Sequence, residues 1–173
     1  PPEGVLFLLT ADSLAGVLPT IRSRCVSFAI APVSPADCAR YCTAHGVDKK
    51  TAVLYSELFD GHIGTVLTAA RDKARTEQVD KAMELARAAQ AGDSYTAAVL
   101  LAPYEKDKAG AAALLRDLRA VAAAGLQGSP HAPVQGQQAQ RTLRLAEAAI
   151  QRLGAQVNPK IVLTVFAARL AHA

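Results

Sequence analysis

The chain has 173 residues, is 51% hydrophobic and carries a formal charge of +4. That length suits one domain or two small ones, and the longest apolar runs fall far short of the roughly 20 residues of a membrane helix. Cations and acids are interspersed without a like-charge run, so the balance permits contact with a polyanion without demanding it, and a solvated mixed surface is the plainer reading.

Aromatic residues are scarce at 5% and there is no Trp. Alanine and leucine dominate instead, which favours helix because Ala loses no side-chain entropy there. The three cysteines, Cys25, Cys38 and Cys42, follow no regular spacing. This argues against a disulfide framework and for a reducing, cytoplasmic setting.

Pro1-Pro2-Glu3-Gly4 runs straight into Val5-Leu6-Phe7-Leu8-Leu9, a continuous apolar run suited to a strand buried on both faces. Cys25-Val26-Ser27-Phe28-Ala29-Ile30 is a second candidate strand. Between them, Ser13 to Arg24 reads as a helical turn or two interrupted at Pro19. Two such strands cannot form a stable sheet alone. The expectation is therefore that they end an α/β domain whose earlier part precedes this chain.

Beyond Ala31-Pro32 the pattern is helical. Ser34-Pro35-Ala36-Asp37 supplies an N-cap, a proline at the first position and an acid in the first turn. That helix should run to about Ala44 and stop at His45-Gly46. Asp48 can cap a second helix carrying Ala52, Leu54, Tyr55 and Leu58, which ends near Asp60-Gly61. A third starts near His62 and either joins a long helix to Ala89 or breaks near Asp72. After a break at Ala91-Gly92-Asp93-Ser94, helices are expected over 94–101, 105–125, 136–153 and 159–172, the last opened by Asn158-Pro159. The Gly-, Pro-, Ser- and Gln-rich stretch from Leu126 to Gly136 reads as an exposed, disordered-type loop.

The most informative string is Pro19-Thr20-Ile21-Arg22-Ser23-Arg24-Cys25, between the two candidate strands. It resembles the end of the ATPase core of bacterial DNA polymerase III clamp-loader subunits, members of the AAA+ family. The resemblance implies that Arg24 is an arginine finger acting in trans, with Ser23 and Cys25 as positioning residues, Cys25 packed in the core. It implies that 5–13 corresponds to the sensor-1 strand and its loop. The fold it implies is mainly α: a remnant of an α/β AAA+ core with two parallel strands over 1–32, a three-helix lid over 33–74, and a helical collar bundle over 75–173.

ATP-binding members of the family carry a sensor-2 arginine at the opening of the third lid helix. Here that stretch is Gly61-His62-Ile63-Gly64-Thr65-Val66-Leu67, and Gly64 stands where the arginine would be. This favours the non-hydrolysing delta-prime branch over the gamma/tau motor branch. The Thr10-Ala11-Asp12-Ser13 loop also departs from the family pattern, lacking its usual Asn or Pro. Partners implied by the resemblance are the gamma/tau and delta subunits, with the sliding clamp and primed DNA reached indirectly. The apolar stripe Val162, Val165 and Phe166 is the candidate collar interface, an intramolecular core being equally open for each residue.

Other chemistry finds little support. There is no glycine-rich phosphate loop. Cys38 and Cys42 share a helical face near His45, but a tetrahedral zinc site needs about four ligands, so no metal is expected. His45, His62, His131 and His172 fall at helix ends or loops. Neither a cofactor nor an independent catalytic site is expected. The rival readings are a gamma/tau motor fragment, an unrelated helical adaptor, and a basic helical DNA-binding module.

Overall fold

The computed structural model describes residues 3–11, 13–31 and 33–171. Pro1, Pro2, Asp12, Pro32, His172 and Ala173 lie outside the described residues, and with them one position of the Thr10–Ser13 loop and the expected setting of His172. The chain divides into two units, Pro1–Ala31 and Pro32–Ala173.

In the first unit, Ser13 Oγ accepts from the Ala15 N–H at 3.2 Å and starts a single 3-10 turn, Leu14–Gly16. One helical turn follows, α1 (Pro19–Arg22). Pro19 opens this turn and does not interrupt it, because its fixed φ suits the first helical position and its missing N–H costs nothing there. The two expected parallel strands do not form: no strand occurs among the described residues. Among the described residues, no backbone hydrogen bond reaches residues 5–11 or 26–31. Their apolar side chains are exposed, Leu6 by 83%, Leu8 by 88% and Ile30 by 95%. A strand needs a neighbour at its edge and cover on its faces, and two short segments supply neither.

The second unit is helical, and capping chemistry sets its boundaries. Ser34 Oγ accepts from the Asp37 N–H (3.1 Å) to open α2 (Pro35–Ala44). Asp48 does the same for Thr51 (3.0 Å) at α3 (Lys49–Leu58). The third helix stops at Asp72, so α4 is Ile63–Arg71, and the Asp72 carboxylate then caps α5 (Lys73–Ala91). Gly92, in the left-handed conformation, ends α5, and Asp93 caps α6 (Ser94–Leu101). Pro103 sits in a 3-10 turn, Ala102–Tyr104, which delays α7 to Lys108–Leu126 behind the Asp107 cap. The last two helices are α8 (Gly136–Gly154) and α9 (Pro159–Ala171), with Asn158 Oδ1 accepting from the Lys160 N–H.

The helices α2, α3 and α4 pack on one another, and α7 packs on α5 and α8, while α9 lies against α6 and α8. Leu114, Leu115, Leu118 and Val121 of α7 are buried with Leu85, Leu101, Leu153 and Leu170. Much of the rest of the core is alanine, including Ala82, Ala86, Ala111, Ala122, Ala139 and Ala146. Small side chains let helices approach closely, so a close-packed interior needs few large residues. Val162 and Phe166 are each only 3% exposed and belong to this internal core, and Val165 is half-buried. The large apolar residue of α9 that is exposed is Ile161, among the described side chains.

Long-range polar ties join the halves of this unit. Arg75 of α5 grips Asp117 of α7 with both terminal nitrogens, Nη2 to Oδ1 at 2.6 Å, and Gln78 Nε2 donates to the same carboxylate at 2.7 Å. The loop after α7 is not the exposed linker expected from its composition. Ala132 and Val134 are buried, and the Val134 carbonyl lies so close to Gly125 that a Cβ there would sit 1.9 Å from its oxygen. Gln135 Nε2 donates to the carbonyls of Ser129 and Ala132, and the Gln135 N–H donates to the Gln90 side chain.

Candidate functional site

The turn carrying Arg24 is organised around one carbonyl. The Ser23 and Arg24 backbone N–H groups close the end of α1 on Pro19 and Ile21. Thr20 O then accepts from Ser23 Oγ at 3.2 Å and from Arg24 Nη1 at 2.8 Å. One of the five guanidinium donors is engaged in this way. Among the described residues no acid pairs with Arg24. The group is thus an exposed cation whose direction is set by its own turn.

Cys25 is exposed, not packed in a core, because no sheet among the described residues covers it. Gly64 is exposed in the first turn of α4, and a Cβ built on it meets nothing within 4 Å. Packing therefore does not require glycine at that position.

Cys38 and Cys42 are both fully buried. Burial first, then the neighbouring Cys38, pushes the Cys42 thiol up to about 11, so it is a protonated packing group and not a nucleophile. His45 is turned away from them: it stacks on Tyr41 at 3.9 Å and its Nδ1 lies 2.8 Å from Tyr41 O. Among the described residues no three candidate ligands converge on a metal position, and no helix is long and apolar enough to cross a membrane.

A second constellation is absent from the motif reading. Glu57 Oε2 accepts from Ser129 Oγ and lies 2.9 Å from His131 Nδ1. These residues are 72 and 74 positions apart, and only the fold brings them together. They pin the post-α7 loop to α3 and so build one wall of an open groove of about 1090 Å³. Burial disfavours the Glu57 charge, but hydrogen bonds from Ser129 and His131 outweigh it and hold the carboxyl below its usual 4.5.

A depressed folded-state pKa gives stability that is present above the unfolded value and lost as pH falls through the folded one. Glu57→Gln should therefore cost about 1 kcal/mol at pH 7, below the roughly 1.5–3 kcal/mol of a buried charge-assisted hydrogen bond because the carboxylate is partly exposed. The difference from the unaltered chain should begin to close as pH falls past the ordinary glutamate value of about 4.3 and be gone only below the depressed folded value. Urea melts at both pH values check it, and a gap that persists in acid would mean that the ionised carboxylate is not the source.

No protein-family model, curated protein or solved structure matches the chain.

Proposed function

We propose that this chain is the assembly and arginine-finger part of a clamp-loader subunit of the non-hydrolysing, delta-prime type. It holds gamma/tau and delta subunits through its helices and offers Arg24 to ATP bound by a neighbour, and the loader then opens a sliding clamp for primed DNA. The observation carrying this reading is the Pro19–Cys25 turn, which displays a guanidinium on an exposed corner with Thr20 O fixing its direction. Charge on a transferred phosphoryl group spreads over its equatorial oxygens, and a planar, always-charged donor fork suits it. Gly64 supports the non-hydrolysing branch, since no side chain there can reach a triphosphate.

The test is DNA-stimulated ATP hydrolysis by a reconstituted loader carrying Arg24→Ala. The expected loss is about an order of magnitude or more with the assembly intact. Arg24→Lys should recover little, because a point charge does not replace the fork. If hydrolysis and assembly are both unchanged, Arg24 is a surface residue and the reading is wrong.

One observation favours a helical adaptor unrelated to clamp loading. Among the described residues, 5–9 and 26–30 remain unpaired, while the second unit closes a core of its own. An adaptor of that kind would leave the loader's hydrolysis unaffected by its presence or absence.

A further inference from the structure

We propose that the groove between α2, the start of α3 and the post-α7 loop is a docking site for an extended apolar peptide segment of a partner protein that carries carboxylates. The inference is independent of Arg24.

The groove is built, not incidental. Pro35, Ala39 and Val53 line its interior, and small side chains there leave room for larger ones from a partner. Gln127, Gly128, Ser129 and Pro130 form the opposite wall. That wall is fixed by the Glu57 contacts to Ser129 and His131 and by the Gln135 amide on Ser129 O. The volume of about 1090 Å³ lies just above the range for small-ligand pockets, roughly 300–1,000 Å³. An open trough of that size suits several residues of extended chain better than one enclosed molecule.

Charge decides the sign of the occupant. The charged residues lining the groove are Arg40, Lys49 and Glu57. Glu57 is engaged by Ser129 and His131, and Arg40 pairs with Asp37 at 2.6 Å. Lys49 has no acidic partner among the described residues. It also occupies the first position of α3, where a cation opposes the helix dipole, so helix stability does not account for it. An anionic group on the occupant would. The apolar interior disfavours a phosphate backbone, which makes nucleic acid the poorer fit.

The probes are two fluorescein-labelled extended peptide libraries with randomised apolar positions, one with fixed Asp and the other with Lys in its place. Binding to the full chain is followed by anisotropy. The Asp library should bind in preference. Lys49→Glu should weaken it about twofold to fivefold, the worth of an exposed ion pair, and shift preference toward the Lys library. Ala36→Glu, on the exposed wall of the groove, should remove Asp-library binding. Both substitutions put an acid in the first turn of a helix, where it stabilises, so thermal melts should show no loss of fold. Equal binding of the two libraries, binding of neither, indifference to Ala36→Glu, or competition by duplex DNA at the same residues would each overturn the proposal.

Discussion

Asp117→Ala should destabilise the second unit by about 3 kcal/mol, the low end of the cost of breaking a buried ion pair. Asp117 is 5% exposed on α7, and its carboxylate is filled by both terminal nitrogens of Arg75 and the amide of Gln78. The Asp117 hydrogen bonds, first among its causes, hold the Arg75 pKa above its usual range, and a guanidinium stays charged even when that partner is removed. Among the groups that then remain near the guanidinium are the Phe59 ring, 5.7 Å away, and the Asp72 charge. A cation–π contact offsets only part of the lost pair, about 0.5–2 kcal/mol.

Arg75 keeps 23% of its side-chain surface exposed and can turn toward water, which is why the low end of the range applies. Asp117→Asn keeps an acceptor and should cost less. A double variant with Arg75→Leu should cost less than the two single changes added, because each single change strands a polar partner. Urea denaturation of the four proteins checks this. A loss under about 0.5 kcal/mol for Asp117→Ala would mean that water, not Arg75, satisfies the carboxylate.

The helical part of this fold was legible wherever the signal is local. Ser34, Asp48, Asp93 and Asn158 each bond an N–H two or three residues on, so the sequence neighbourhood contains the whole interaction. The candidate strands were a different case. An apolar pentapeptide such as Val5-Leu6-Phe7-Leu8-Leu9 becomes a strand only when another segment supplies hydrogen bonds and cover, and among the described residues of the first unit none does. The loop after α7 failed for the opposite reason. Its composition is that of an exposed linker, yet Ala132 and Val134 are buried through contacts made possible by a glycine on the preceding helix. The groove was illegible because Glu57, Ser129 and His131 meet only after the helices have packed. The role given to Arg24 rests on the motif alone, and the turn around it was legible in part, since Pro19 was read as a break where it is a start.

Gly61→Ala should cost about 2–4 kcal/mol, combining a left-handed backbone penalty with overpacking against main chain. Gly61 has φ +74°, and a Cβ built on it would lie 1.8 Å from the Val33 carbonyl oxygen. The obstacle is backbone at the entry to α2, so relief requires shifting either that entry or the Asp60–Gly61 turn, in which Asp60 itself has φ +47°. Gly64, three residues on, is the internal control. It has an ordinary φ, an empty surrounding and a place in the first turn of α4, so Gly64→Ala should stabilise by about 0.5–1 kcal/mol. Thermal melts of the two variants separate the effects, and a destabilising Gly64→Ala would show that α4 needs flexibility there. The contrast bears on function as well. Because packing forces glycine at 61 and not at 64, Gly64→Arg should fold normally. The missing charge, which the proposed clamp-loader reading sets against a sensor-2 arginine, is then not imposed by the fold.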